Sequence, residues 1–313
     1  MLASGRLGLE GAGAGGRTGI RLDMTGKRPI PTAEEVWRRY DAVESRLTAP
    51  VSECMLDLAA LRPGMRMLDL ATGRGEPALR AARRVGPQGR VLGVELSEAL
   101  LGMAREKAKQ EGLSNLDLHA ADAECSEGIP TAHFHSATVR WGLMYMGDPV
   151  AALANARRAL LPEGVLVAAL WAEPERVPYF TLPRRLLERY RELPVLDAEA
   201  PGTFRYADRE RITRDFDRAG FSIERVEEMD VSVFEAETSE ALIAWVRALG
   251  LTKLLNEMPE DAQRAWEEDF RREVEPLRSE GLIRLGGITR IVVGRPVPEA
   301  SLGALPLFGG QRP

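Results

Sequence analysis

Along most of the chain, short apolar runs alternate with longer stretches of helical spacing. Met67 to Leu70, Val91 to Glu95, Leu116 to Ala120, Ala137 to Trp141 and Val165 to Leu170 read as strands. Between them, Pro77 to Val85, Glu98 to Gln110 and Pro149 to Leu161 read as helices. In the last, Val150, Ala154, Arg157 and Leu161 step at helical spacing behind Asp148-Pro149 as N-cap and first turn. Strands alternating with helices imply βαβ units, a parallel sheet and right-handed crossovers. The predicted class is therefore α/β, a doubly wound sheet.

The flanks read differently. Thr32 with Glu35 has capping-box spacing, ahead of helical runs from Val36 to Leu47 and Glu53 to Leu61, ended by Pro63-Gly64. After Trp171 the regularity lapses. Helices are expected near Leu182 to Arg191, Asp208 to Ala219 (closed by Gly220), Ser239 to Leu255 and Asp261 to Glu273. Strands are expected at Ile223 to Phe234 and Ile288 to Gly294. Residues Met1 to Lys27 are rich in Gly, Ala and Arg and follow neither period, so they are expected to be disordered. Gly11, Gly13 and Gly16 there spell GxGxxG, but without a strand before or a helix after, the spacing carries no nucleotide-loop meaning. Met24 is the expected native start. The division read from these patterns is a leader (1–27), N-terminal helices (28–64), a cofactor-binding core (65–171), a helical cap with final strands (172–295) and a loose tail (296–313).

Composition narrows the classes. The chain has 313 residues and a formal net charge of -5, which counts against nucleic acid or an anionic membrane as the main partner. No run approaches the roughly 18 apolar residues of a spanning helix, and a cytoplasmic location is expected. Cys54 and Cys125 form no CxxC or zinc spacing, which fits a reducing compartment.

The chemistry concentrates where the first strand runs into Asp69-Leu70-Ala71-Thr72-Gly73-Arg74-Gly75-Glu76-Pro77. Strand, Gly-rich turn and helix start together make a nucleotide-type site, and Glu95 at the end of the second strand is placed to accept from ribose hydroxyls. Three features turn the reading away from a dinucleotide. Glu76 stands at the helix start, where a pyrophosphate would need bare amides and the dipole. Asp69 would repel a phosphate and attract an ammonium. The third glycine of the dinucleotide fingerprint is missing near Leu79 and Arg80. Adenosine with a cationic, phosphate-free tail fits; pyrophosphate does not.

MLDLATGRGEPAL (67–79) resembles the first motif of class I S-adenosylmethionine-dependent methyltransferases, and VLGVELSEALLGMAREKA (91–108) the ribose motif that follows. AADAE (120–124) resembles the adenine loop, and the segment 133–171 the fourth strand, its helix and the turn before strand five. The group most similar is that of bacterial ubiquinone/menaquinone-biosynthesis methyltransferases. The resemblance implies a Rossmann-like sheet with a last antiparallel strand and S-adenosyl-L-methionine as cofactor. It implies cofactor contacts at Asp69, Ala71, Thr72, Gly73, Gly75, Glu95, Leu96, Asp122, Ala123 and Arg140, with Tyr40 closing over the methionine end. Ala71 stands where many members have glycine, His135 replaces an aspartate and Glu163 a glycine.

Methyl transfer from a sulfonium is an in-line displacement, so alignment supplies much of the rate and a base is needed only for a protonated acceptor. His119, His133 and His135 lie away from the carboxyl edge. Tyr145, just past the fourth strand, is the candidate catalytic residue, with Met144, Trp171 and Tyr179 as substrate walls. The aromatics after Trp171 favour an apolar acceptor that is quinone-, polyketide- or aromatic-like, accepting at O, C or N. No acidic cluster suits a metal. A homodimer through the Ser239 to Glu273 helices is one arrangement the sequence permits. The rival readings are a non-catalytic cofactor-binding protein, which turnover would exclude, and a nicotinamide-dependent oxidoreductase, which lacks its glycine fingerprint here.

Overall fold

The computed structural model describes residues 32–125, 127–194, 197 and 199–298, with side chains at all of these except 33, 34, 249 and 250. The leader over residues 1–27, its glycine spacing, Met24 and the tail beyond residue 298 lie outside the described residues. The strands are β1 (Arg66–Leu70), β2 (Arg90–Glu95), β3 (Leu116–Ala120), β4 (Phe134–Arg140), β5 (Leu160–Trp171), β6 (Phe221–Ala236), β7 (Arg278–Ser279) and β8 (Leu282–Pro296). The helices are α1 (Ala33–Leu58), α2 (Ala78–Val85), α3 (Glu98–Gln110), α4 (Pro149–Ala159), α5 (Pro178–Leu187), α6 (Arg209–Arg218), α7 (Ser239–Val246), α8 (Thr252–Asn256) and α9 (Glu260–Val274).

These strands form one sheet in the order β3-β2-β1-β4-β5-β8-β6, with β7 paired to β8 beside that path. The first five are mutually parallel where they pair, and β8 runs antiparallel to both β5 and β6. This is the doubly wound sheet the pattern predicts, with the last antiparallel strand that the resemblance implies. The central strands read as continuous apolar runs because helices cover both faces. Every residue of β5 from Val165 to Trp171 is buried. At the edge, Asp117 and His119 of β3 are exposed and blunt the strand against further pairing.

Several elements depart from the sequence expectation: the Ser239 to Leu255 run divides into α7 and α8, α5 begins four residues before Leu182, and β5 begins at Leu160, inside the expected helix. The two N-terminal helical runs form a single helix, α1, carried straight through Pro50. Its Thr32–Glu35 capping box is present, each side chain satisfying the other's backbone amide. The break at Pro50 is overridden because Thr48, Val51, Ser52 and Met55 around it are fully buried in tertiary packing. The last strand is also longer than expected. Gly286 and Gly287 interrupt the apolar pattern, yet both lie inside β8 and pair with Ser232 and Val231 of β6.

The winding reverses between β1 and β4, which lie side by side. Ligands of doubly wound sheets bind at this point, outside the carboxyl ends of the strands. Here α1 lies across β5 and β6, so one helix roofs the crevice.

Candidate active site

The loop after β1 is built by backbone that few side chains tolerate. Ala71, Gly73 and Gly75 all have positive φ, at 52°, 56° and 96°. The Thr72 amide donates to the Val94 carbonyl at 2.9 Å, and the Gly75 amide to the Thr72 carbonyl at 2.9 Å. A Cβ on Gly75 would sit 2.7 Å from Leu79 Cδ1, so glycine there permits close packing of loop on helix. Gly142, beyond β4, does the same from the other side: its Cβ would lie 2.5 Å from Ala71 Cβ. A Cβ on Gly73 would meet nothing within 4 Å, which leaves open space above the loop.

Glu95 is fixed against this loop. Its Oε2 accepts from the Gly73 amide at 3.1 Å and its Oε1 from the Ser97 amide at 2.9 Å. Beside it Leu96 is 75% exposed, a free apolar surface. Ala123 is buried, and Asp122 is exposed with Oδ1 accepting from the Glu124 amide at 2.9 Å. Glu124 in turn accepts from the Gly147 and Asp148 amides at 2.8 and 2.6 Å, tying the loop after β3 to the loop after β4.

Asp69 takes a different place from the one its charge suggested. It is fully buried beneath the loop and is not among the residues lining the cavity. Thr138 Oγ1 donates to its Oδ1 at 2.6 Å, while its Oδ2 has no hydrogen-bond partner. Burial pushes its carboxyl up to about 6, against the hydrogen bond from Thr138. The neighbouring Thr72 hydroxyl is likewise buried without a partner. Glu76 also differs from expectation. It does not cap α2, whose N-cap Pro77 makes no side-chain bond; it pairs with Arg80 at 2.9 Å instead.

Arg74 fastens the roof. It pairs with Asp41 at 2.6 Å and with Glu44, both on α1, and its guanidinium lies 3.6 Å over the centre of the Trp37 ring. Lys107 of α3 reaches the same Asp41 at 2.6 Å. Burial raises the Asp41 carboxyl, but Lys107 and Arg74 outweigh it and hold it below its usual range. Arg140, at the end of β4, donates to Thr48 Oγ1 at 2.9 Å and Ser52 Oγ at 3.2 Å.

Between loop, roof and cap lies a cavity of about 960 Å³. Ala71, Thr72, Gly73 and Arg140 line one end, and Tyr145, Trp171 and Tyr179 line its walls. Trp171 stacks on Trp141 with ring centres 4.7 Å apart and planes 7° from parallel. Tyr145 is half-exposed into the space, its hydroxyl 3.0 Å from Thr203 Oγ1. Its surroundings raise its phenol above the usual value, and burial raises that of Tyr179 further. The Tyr145 hydroxyl is thus placed to hydrogen-bond at the cavity wall.

Gly75, Glu95, Leu96, Asp122 and Ala123, like Asp69, are not among the residues lining this cavity, and two further expected contacts fall elsewhere. Tyr40 does not line the cavity; its ring packs into an aromatic cluster with Trp245 and Phe234, at 4.4 and 5.7 Å. Trp37, one turn earlier, faces the space in its place. Met144 is wholly buried under the cap, its carbonyl accepting from Gly202. Trp37, Trp141 and Arg205 also line the cavity and were missed from the sequence. The apolar pattern of the fourth strand ends on Trp141, which would place its ring in the sheet. The residue instead follows β4 with φ of 53°, which swings its ring to the crevice, and its indole donates to Thr289. Asp148-Pro149 marks the next helix start, so a turn between Arg140 and Asp148 was the available signal.

Residues 61–190 match the family described as a methyltransferase domain. The chain is 30% identical over 176 residues to a ubiquinone/menaquinone biosynthesis C-methyltransferase of Coxiella burnetii, covering 53% of this chain and 70% of that protein. To its Serratia proteamaculans counterpart it is 33% identical over 156 residues, covering 48% and 61%. Against that protein and its Shewanella counterparts, the chain spans about half to three fifths of the relative's length. Nocamycin O-methyltransferase of Saccharothrix syringae is 32% identical over 125 residues, covering 40% and 44%. Among solved structures, a Bacillus halodurans protein assigned as a methyltransferase superposes with a TM-score of 0.53 at 19% identity, covering 79% of this chain and 99% of that one. That likeness concerns the fold.

Proposed function

The chain belongs to the class I S-adenosylmethionine-dependent methyltransferases, and from that premise we propose that it methylates an O, C or N atom of an apolar small molecule. The observation that carries this reading is the junction of the Glu95-braced loop with a large aromatic cavity on the same sheet edge. The residues present suit the family's cofactor. Glu95 keeps lone pairs for ribose hydroxyls, Leu96 and Ala123 offer apolar faces for adenine, and Asp122 accepts from its amino group. The buried Asp69 carboxylate leaves an acceptor with no full partner beneath the loop, which favours a cationic group above it. Arg140 supplies the complementary cation for a carboxylate.

When bound, S-adenosylmethionine supplies an activated methyl group with a neutral leaving group. The protein's share is alignment and exclusion of water. Trp37 and Arg74 hold the roof down, and the Trp141–Trp171 stack gives a flat wall against which a planar acceptor can be oriented. The similar proteins named above include C- and O-methyltransferases, and the cavity's aromatic lining favours a quinone-, polyketide- or aromatic-like acceptor. Both cysteines are free in the structure, in keeping with a cytoplasmic enzyme. Among the described residues no helix is long and apolar enough to cross a membrane.

Calorimetric titration with S-adenosylhomocysteine, with NADH in parallel, tests the reading. Micromolar binding of the first and none of the second is expected; the reverse pattern, or no binding of either, overturns it.

A further inference from the structure

Among the described residues, two of the three acids lining the cavity are held in ion pairs, and the third, Asp197, is exposed and bonded to a backbone amide. Glu44 pairs with Arg74, Glu76 with Arg80, and Asp197 accepts from the Glu199 amide. No histidine among them lines the space, and both phenols on its wall, Tyr145 and Tyr179, are held protonated by their surroundings. A neutral hydroxyl acceptor would find no buried base here, the one carboxylate outside an ion pair, Asp197, being exposed.

The cations are distributed differently. Arg74 is matched by Asp41 and Glu44, and Arg184 by Glu188. Two lining guanidinium groups have no carboxylate partner among the described residues: Arg140, taken above for the cofactor's carboxylate, and Arg205. Arg205 donates only to the Met146 carbonyl, and its Nε is buried without a partner. It closes a turn fixed at both ends. The Gly202 amide donates to the Met144 carbonyl at 2.9 Å, and Thr203 meets Tyr145. Next to it Phe204 begins a chain of rings, Phe204 to Phe180 to Trp171, that ends stacked on Trp141. The cavity thus offers a series of aromatic rings, ending in the parallel Trp141–Trp171 stack, and beside them in Arg205 a cation with no carboxylate partner.

We propose that the acceptor binds as a conjugated oxyanion, an ionised phenol or enol, with Arg205 as its counter-charge and specificity-determining residue. This rests on the methyltransferase reading and names the substrate class for the same site. A partly buried cation favours the anionic form of a neighbouring acid, so the acceptor sheds its proton to water on binding and no protein base is required. In the transfer, an electron pair of the anion forms the new bond to the methyl carbon. The carbon–sulfur bond breaks with its pair retained on sulfur, leaving a neutral thioether and a neutral methylated product. The product no longer pairs with Arg205, which favours its release.

Umbelliferone tests this, because its phenol and phenolate absorb at different wavelengths. Its pKa is measured optically when bound to the protein saturated with S-adenosylhomocysteine. The bound value is expected to fall by about one pH unit or more, a tenfold preference for the anion. Arg205→Gln should abolish the fall and Arg205→Lys retain most of it. S-adenosylhomocysteine affinity reports the folding of each variant, with Arg205→Met replacing Arg205→Gln if the latter does not fold. An unchanged or raised bound pKa in the wild type, an equal fall without Arg205, or no binding of the probe overturns the inference while leaving the cofactor reading intact. Failure of S-adenosylhomocysteine itself to bind removes both.

Discussion

Replacing Asp69 with asparagine should make the free protein more stable at neutral pH and less so in acid. Asp69 bears the whole cost of burial. It lies inside the protein, receives one hydrogen bond from Thr138 and leaves Oδ2 without a partner. Its carboxyl is lifted from 3.8 to about 6. At about 1.4 kcal/mol per pH unit, keeping it ionised in the fold costs about 3 kcal/mol. The native state then holds a proton that the unfolded chain has lost, so stability is greatest below the unfolded value and falls as pH rises through about 6. The introduced amide would keep the acceptor for Thr138 but bury a donor, a pH-independent penalty of about 1–3 kcal/mol. The difference in unfolding free energy should therefore move in favour of Asp69→Asn by about 2 kcal/mol between about pH 4 and pH 7. Urea denaturation at both pH values, each without cofactor, measures it. A difference that does not change with pH, or that moves toward the wild type, refutes the reasoning. The same substitution should weaken S-adenosylhomocysteine binding at neutral pH, since the negative charge beneath the loop is gone.

Further outcomes follow from the roof and the loop. Arg74→Ala leaves Glu44 and part of the Asp41 charge unmatched under α1, and should cost about 2–4 kcal/mol in thermal or chemical unfolding. Glu95→Ala removes the acceptor that braces Gly73 and should weaken S-adenosylhomocysteine binding about 10- to 100-fold by calorimetry, with the melting temperature of the free protein little changed. Gly142→Ala drives a Cβ against Ala71, a backbone-borne neighbour with no rotamer to yield. It should destabilise the protein by about 1–3 kcal/mol and weaken cofactor binding as the loop shifts, both read in one thermal-shift series with and without S-adenosylhomocysteine.

The sheet was legible because its strands are local apolar runs with turn residues between them, a signal that needs no knowledge of distant partners. That Glu95 stands against the glycine loop was legible the same way, from its distance along the chain. What escaped depended on tertiary contact. Asp69 reads as an exposed anion until burial by the loop is known. Tyr40 and Trp37 share one helix and one residue class, and only packing against Trp245 and Phe234 decides which ring faces the cavity. Pro50 signals a break that the buried positions around it override. Arg205 is one arginine among many, and its lack of an acid partner is a property of space rather than of sequence.

The clasp between α1 and the far strands also sets an order of events during synthesis. Tyr40 and Trp37 need Phe234 and Trp245, and Arg46 reaches Glu235 at 2.6 Å, all nearly two hundred residues downstream. Contacts so distant in sequence are slow to form. On the ribosome, the glycine loop and its first strands emerge early, and α1 can reach Arg74, Arg140 and β5, yet the aromatic half of its seat is missing until β6 and α7 have been made. A nascent chain ending after β5 would hold the loop under a helix seated along one side only, and the roof would be completed in the last third of translation.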